Sequence, residues 1–175
     1  MRKELQRQSK FLSKILRHDP ESVGIVLSDK GWANVSDILK ILKIKKTELD
    51  EIVETNDKKR FEFDQHQQRI RARQGHSVEV DVELQPFIPS GFLYHGTAHR
   101  FLGSIMDLGL TKQSRNHVHL SDNLETAINV GKRHGSPVVL KIDAVQMNND
   151  GFTFYKSNNN VYLTDSVPIK YITIN

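Results

Sequence analysis

Three short clusters hold the residue types best suited to chemistry on a phosphate ester: Leu16-Arg17-His18-Asp19, Ile70-Arg71-Ala72-Arg73-Gln74-Gly75-His76-Ser77 and Arg115-Asn116-His117-Val118-His119-Leu120-Ser121. Arginine presents a planar fork of donors that fits phosphate oxygens in pairs, and a neighbouring histidine can donate or carry a proton near neutral pH. Their recurrence points to a nucleic acid or a dinucleotide as substrate. A fourth string, Tyr94-His95-Gly96-Thr97, reads as the end of a strand and the start of a helix. It places a histidine, a flexible backbone and a hydroxyl where ligands collect in mixed sheets.

Metal binding is the competing use of the histidines, since His95 and His99 are four apart and His117 and His119 two apart. A zinc set would normally add acids or cysteines and lay the i, i+4 pair on one unbroken helix. Gly96 and Thr97 interrupt that helix, so no metal is expected, and His99 and His134 read as buried, hydrogen-bonded structural histidines.

The elements that must position these residues follow from hydrophobic spacing. Leu5, Phe11, Leu12, Ile15 and Leu16 mark the buried stripe of a helix whose other positions carry Arg2, Lys3, Arg7, Lys10 and Lys14. Pro20 drives Asp19 out of helical angles, which leaves Arg17 and His18 in the last turn, within reach of a ligand. A second helix covers Val35 to Leu42, entered from Gly31-Trp32-Ala33-Asn34. A third starts at Thr47, whose hydroxyl and Asp50 make a capping box. Phe61 and Phe63, a polar turn over Gln65-His66-Gln67-Gln68, then Ile70 and Ala72 form a hairpin. Three helices followed by a hairpin is the order of a winged-helix domain.

On the second hairpin strand a period of two sends Arg69, Arg71 and Arg73 to the face opposite Ile70 and Ala72. A row of solvated arginines is the plain reading. The Gly75-His76-Ser77 that follows favours a phosphate site, because glycine lets backbone amides approach an anion.

An acid and apolar tract from Val78 to Ser90, closed by Pro86 and Pro89, reads as the joint between two lobes, with the boundary near Leu84. Strands are expected at Phe92–Tyr94, Val118–Leu120, Val138–Ile142, Phe152–Tyr155, Val161–Leu163 and Tyr171–Ile174. One helix should run from Ala98 to Leu108 with Gly109 as its stop. Another should follow Asp122, with Glu125 as capping partner and Gly131 at its end. Ser157-Asn158-Asn159-Asn160 should turn a hairpin. In the third cluster, Arg115, His117, His119 and Ser121 share one face if the strand is continuous, while Val118 and Leu120 pack inward.

Composition limits the function classes. With 175 residues, of which 37% are hydrophobic, the chain can form one or two compact domains. A net charge of +4 permits a polyanionic substrate but is too small for nonspecific coating of nucleic acid. Basic residues number 17 against 15 acidic ones up to Leu84 and 8 against 6 beyond it, so neither half is a basic tail. Zero cysteines exclude disulfides and a thiol nucleophile. No segment has the apolar length of a signal peptide or membrane span, so a cytoplasmic protein without membrane contact is expected.

Lys14-Ile15-Leu16-Arg17-His18-Asp19-Pro20, Gly31-Trp32, Ile70 to Ser77, Tyr94 to Thr97 and Arg115 to Ser121 together resemble the NAD-dependent RNA 2′-phosphotransferase family, called KptA in bacteria. The five motifs occur in the family's order and span nearly the whole chain. The resemblance implies an α+β chain: a winged-helix RNA-binding lobe over 1–84 and an ADP-ribosyltransferase-like mixed β lobe, binding NAD, over 85–175.

The resemblance further implies a catalytic tetrad of Arg17, His18, Arg71 and Arg115. NAD contacts are expected from His95, Gly96, Thr97, His117, His119, Ser121 and Arg133, and RNA phosphate contacts from Arg17, His18, Arg69, Arg71, Gly75, His76 and Ser77. The implied partners are NAD, consumed as co-substrate without a metal, and an RNA bearing an internal 2′-phosphate; the protein is expected to be a monomer. The implied reaction forms ADP-ribosylated RNA with release of nicotinamide, then frees 2′-OH RNA and ADP-ribose 1″,2″-cyclic phosphate. Arg73 departs from the family, which often has a smaller polar residue such as asparagine there. It can contact RNA or face water. Asn160 to Thr164 contains no carboxylate, in contrast to the late-strand glutamate of many ADP-ribosyltransferases. A phosphate monoester with a second pKa of about 6 needs no such base, being largely a dianion at neutral pH.

Two other classes compete. A nucleic-acid-binding regulator would need base-reading side chains on Val35 to Leu42, which is mostly apolar and lysine. A protein ADP-ribosyltransferase would have no use for Arg17, His18 and Arg71 together.

Overall fold

A computed structural model describes residues 3–56, 58–157 and 159–175, so Arg2 of the first helix and Asn158 of the asparagine turn lie outside the described residues. The chain divides into two compact units, Met1–Glu83 and Leu84–Asn175. Both mix helices with antiparallel strands. No helix among the described residues is long and apolar enough to cross a membrane.

The first unit runs α1 (Lys3–Arg17), β1 (Ala33–Asn34), α2 (Val35–Leu42), α3 (Lys46–Glu54), β2 (Phe61–Phe63) and β3 (Arg69–Ala72). On α1 the spacing Leu5, Leu12, Ile15, Leu16 buries one stripe, with Ser9 at its centre accepting through Oγ from Asn56 Nδ2 at 3.2 Å; Phe11 stays exposed. The helix ends where the His18 and Asp19 amides both turn back to the Lys14 carbonyl ahead of Pro20. Ile38, Leu49, Ile52, Phe61, Ile70 and Ala72 complete the core. Each large apolar side chain removed from water there contributes about 1.5–3 kcal/mol.

The helix over Val35 to Leu42 forms as expected. The third begins one residue early, and its cap differs: Glu48 accepts from the Lys45 amide at 3.0 Å, while Asp50 pairs instead with Lys46. The hairpin has the register Phe61↔Ala72, Glu62↔Arg71, Phe63↔Ile70. Its turn is held by Asp64, whose Oδ1 accepts from the Gln68 and Arg69 amides at 2.9 and 3.0 Å. β1 adds a third strand by pairing with β3, giving the order β1-β3-β2. At two residues, it is too short to show a period in the sequence.

The second unit contains β4 (Gln85–Phe87), β5 (Leu93–Ala98), α4 (Leu102–Leu108), β6 (Leu110–Thr111), β7 (Val118–Leu120), α5 (Leu124–Gly131), β8 (Pro137–Ile142), α6 (Ala144–Asn149), β9 (Phe154–Lys156), β10 (Tyr162–Thr164), β11 (Ser166–Val167) and β12 (Ile172–Ile174). Two sheets dominate, β4-β9-β10-β7 and β12-β8-β5, and β6 pairs with β11. The two larger sheets meet where Tyr94 and Ser121 exchange backbone hydrogen bonds at 2.7 and 2.8 Å. Leu93, Leu120, Leu140, Ile142, Met147 and Phe154 form the core between these elements.

Two expectations change here, and one helix is added. His95, Gly96 and Thr97 do not open a helix; they lie inside β5, which pairs with β8 as far as Ala98↔Pro137, and α4 starts only at Leu102 after a 3-10 turn at His99–Phe101. Strand pairing along the full length of β8 outweighs the turn tendency of a single Gly-Thr pair. The cap of α5 is Asn123, whose side chain accepts from the Thr126 amide at 2.8 Å, in place of Glu125. The helix α6, capped by Asp143, was masked in the sequence by its polar Gln146-Met147-Asn148-Asn149 end.

Candidate functional site

The end of α1 gathers the first unit's polar candidates. Arg17 is buried in the last helical turn and His18, just beyond it, is exposed. The loop after β3 is tied to this helix end: the Ser77 and Val78 amides donate to the Arg17 carbonyl at 2.9 and 3.4 Å, and Ser77 Oγ lies 2.9 Å from His18 Nδ1. The Ser77 amide, expected to face an anion, is therefore directed at the protein, and the hydroxyl is the group that orients the imidazole. Gly75 makes this return possible with φ of 87°, a conformation that suits glycine.

His76 is 2% exposed, and burial, with the charges of Arg17, His18 and Arg71 added, lowers its pKa to about 3. The ring is neutral at physiological pH. Those charges also place Arg17, His18, Arg71 and His76 in one electropositive neighbourhood.

The arginine row exists, but carboxylates and an indole hold it. Arg71 donates Nε to Glu62 Oε1 at 2.8 Å and Nη1 to the Lys30 carbonyl at 3.3 Å and Glu83 Oε2 at 3.2 Å, and its guanidinium carbon lies 4.3 Å from the centre of the Trp32 ring. Arg69 sits 5.5 Å from the same ring and donates Nε to Asp64 Oδ2 at 2.9 Å. Arg73 shares Glu62, with Nε 3.2 Å from Oε2. Arg73 thus neither simply faces water nor stands alone; a single carboxylate spans two arginines. Stacking and paired hydrogen bonds fix the plane of Arg71 before any ligand arrives. Glu62 was legible from the hairpin register, which sets it opposite Arg71. Lys30 and Glu83 carry no sequence signal, since their meeting depends on the path of residues 78–83 along the first unit.

In the second unit the seam between the two large sheets holds His95, His119 and Ser121. His95 Nδ1 is 2.9 Å from the His119 carbonyl, which can only accept, so Nδ1 carries the proton and Nε2 is an acceptor. Burial lowers the pKa of His95, only partly offset by that carbonyl, and His134 lowers it further. Ser121 Oγ closes a small turn with Asn123, accepting from its amide at 3.0 Å.

Gly96 has a packing role: a Cβ there would lie 1.8 Å from the Ala127 carbonyl oxygen of α5, and one at Gly131 would lie 2.5 Å from the Thr97 carbonyl. α5 and β5 approach backbone to backbone at these glycines. Thr97 is buried beside them.

The shared face expected from Arg115 to Ser121 is shorter than foreseen. Regular strand begins at Val118, and Arg115 is exposed in a turn whose amide donates to the Lys112 carbonyl at 3.0 Å. His117 packs its ring edge-on against Tyr155 at 5.9 Å, and burial lowers its pKa. Arg133 and His134 are exposed in the turn that follows α5, and His99 is exposed at the start of its 3-10 turn, so neither histidine is buried as expected. Among the described residues no three His, Asp or Glu side chains are grouped to hold a metal ion.

Comparison with known proteins shows the family of the chain. The profile of the RNA 2′-phosphotransferase, Tpt1 / KptA family matches residues 3–166. A probable RNA 2′-phosphotransferase of Trichormus variabilis is 51% identical over 169 residues, covering 94% of this chain and 93% of that protein. Proteins of the same description from Flavobacterium johnsoniae and Pseudomonas aeruginosa are 48% and 47% identical over 169 and 177 residues, covering 94% and 98% of this chain and 93% and 97% of theirs. On matches of this extent, running from α1 to β11, the chain belongs to the RNA 2′-phosphotransferase, Tpt1 / KptA family.

Proposed function

We propose that the protein removes an internal 2′-phosphate from RNA by transferring it to NAD, with the first unit acting as a winged-helix RNA lobe and the second as an ADP-ribosyltransferase-like NAD lobe. The observation that carries this reading is the tie of Ser77 to Arg17 and His18 at the end of α1, beside a buried His76 that feels the charges of Arg17, His18 and Arg71, in a chain of this family. In the first step the 2′-phosphate displaces nicotinamide and ADP-ribosylated RNA forms; in the second the adjacent ribose hydroxyl attacks phosphorus, releasing 2′-OH RNA and ADP-ribose 1″,2″-cyclic phosphate.

The chain's own residues would supply position and charge balance. Because the attacking phosphate is already anionic, guanidinium groups rather than a general base are needed to hold it in a near-attack orientation. Arg71 suits this role, as Glu62 and Trp32 set its plane. Arg17 and Arg115 are assigned to charge developing on the phosphoryl oxygens. His18, oriented through Nδ1 by Ser77, is assigned to the phosphate or the departing ribose oxygen as hydrogen-bond donor or proton carrier.

For NAD, the donor set at the sheet seam fits a ribose or amide: a neutral His95 with an acceptor Nε2, and the hydroxyls of Thr97 and Ser121. Gly96 would contribute through its backbone, since α5 fills its side-chain face. His117, His119, Arg115 and Arg133 are the remaining candidates around it.

The test mixes the protein with NAD and a 2′-phosphorylated oligonucleotide, without added metal, and follows nicotinamide and RNA by chromatography. Loss of 2′-phosphate in step with nicotinamide release is the expected result. Nicotinamide release that ignores the oligonucleotide would instead identify a hydrolase or a different acceptor.

A further inference from the structure

Arg71 shares one of its contacts with a lysine that the site motifs do not include. The turn Ser28–Trp32 is closed by the Gly31 amide on the Ser28 carbonyl at 2.8 Å and the Ser28 amide on the Trp32 carbonyl at 2.9 Å. It points the Lys30 carbonyl at Arg71 Nη1 and the Lys30 ammonium past it, to Glu83. The two cations divide a single carboxylate: Lys30 Nζ lies 2.6 Å from Glu83 Oε1 and Arg71 Nη1 3.2 Å from Oε2.

We propose that Lys30 and Arg71 form a two-cation seat for an RNA phosphate, and that Glu83 occupies this seat as an internal stand-in which the phosphate displaces. Four observations carry it. Two oxygens on one centre, each held by a different cation, is the arrangement a phosphate group also presents, with more charge and a third oxygen. The pair is solvent-accessible, with the Lys30 and Glu83 side chains 56% and 44% exposed, so a ligand can reach it and the internal bond is weak. The Glu83 amide is held by Asp81 Oδ1 at 2.9 Å, so the backbone is anchored independently of the carboxylate and only the side chain has to move to vacate the seat. Arg71 keeps Glu62 on Nε, the Lys30 carbonyl on Nη1 and Trp32 against its face throughout, so departure of Glu83 opens one Nη1 donor without releasing the guanidinium.

Glu83 therefore lowers affinity for anions at rest and keeps Lys30 and Arg71 aligned until RNA arrives. Lys30 becomes a phosphate contact in its own right.

This inference rests on the RNA reading above, and the experiment separates the two. Inorganic phosphate and a 2′-phosphorylated oligonucleotide are each titrated into the parent protein, Glu83→Gln, Glu83→Ala and Lys30→Gln, at several salt concentrations, with thermal melting as the folding control. Both Glu83 variants should bind both ligands roughly three- to tenfold more tightly, since a charged competitor has been removed. Lys30→Gln should weaken RNA binding and reduce the magnitude of the salt slope by about 0.7–0.9, the share of one phosphate contact. Unchanged or weaker phosphate binding in both Glu83 variants overturns the seat, as does an unaltered salt slope in Lys30→Gln. Tighter binding of inorganic phosphate without any gain for RNA overturns the assignment of the seat to RNA. Absence of NAD-dependent transfer in the parent, alongside the expected gains, would remove the proposed function and leave the seat standing.

Discussion

Arg71 is held at four points before it meets a substrate: Glu62 on Nε, the Lys30 carbonyl and Glu83 on Nη1, and the Trp32 ring against its plane. A lysine keeps the charge and loses all of this geometry. Arg71→Lys should therefore slow transfer of the phosphoryl group by on the order of 10²-fold, as expected for loss of an aligned donor to developing charge. ADP-ribosylated RNA should accumulate on a gel of labelled substrate; turnover at the parent's rate would show that Arg71 does not hold the phosphate by paired donors. His76 makes a prediction of a different kind. Its folded pKa, about 3, lies below the ordinary 6.5, so as pH falls through 6.5 the unfolded chain takes up a proton that the folded chain refuses. Stability is thus complete above pH 6.5 and declines toward pH 3, by at most about 1.4 kcal/mol per pH unit. His95 and His117 are lowered in the same sense. The test is consequently a difference: urea unfolding of His76→Gln should show a shallower loss between pH 6.5 and 4.5 than the parent, and parallel curves would contradict a buried neutral ring.

At the scale of elements, the tightest requirement lies between α5 and β5. Gly96 permits the Ala127 carbonyl to sit where a Cβ would be, at 1.8 Å, and Gly131 permits the reverse approach of Thr97. Because the obstacle is backbone, relief requires moving the helix. Gly96→Ala should cost at least about 1–3 kcal/mol. Thermal melting of the second unit should fall by several degrees, on the order of 4–8 °C per kcal/mol for a domain of this size. A variant with the parent's melting point and weaker NAD use would assign Gly96 to the ligand instead of to packing. The helices α1 and α2 and the first hairpin are readable because their apolar periods are long enough to register, as in Leu5, Leu12, Ile15 and Leu16 or Phe61, Phe63, Ile70 and Ala72. The start of α4 and the caps of α3 and α5 were not, because alternatives such as Glu48 and Asp50, or Asn123 and Glu125, are chemically equivalent until backbone geometry selects one.

For the molecule as a whole, the proposed function leaves charge balance at the phosphate to guanidinium groups rather than to a divalent cation. Treatment with a chelator should accordingly leave NAD-dependent 2′-phosphate loss unchanged, and a rate that collapses and returns on addition of magnesium would revise that assignment. What the sequence by itself determined is the residue chemistry and its order along the chain: the Arg17-His18 pair ahead of Pro20, the arginines alternating with Ile70 and Ala72, and the histidine and serine strings that follow, which together identify the family. These are legible because they depend on neighbours a few positions apart, where helix and strand periods dictate which side chains share a face. What only the tertiary structure decided is which partners complete each group. Glu62 divides itself between Arg71 and Arg73, Ser77 turns His18, the His119 carbonyl sets the tautomer of His95, and Glu83 comes back to Lys30. Apart from the Glu62–Arg71 register, such contacts join residues far apart in sequence or facing across packed elements. Their formation depends on how a whole core closes, which no local period encodes.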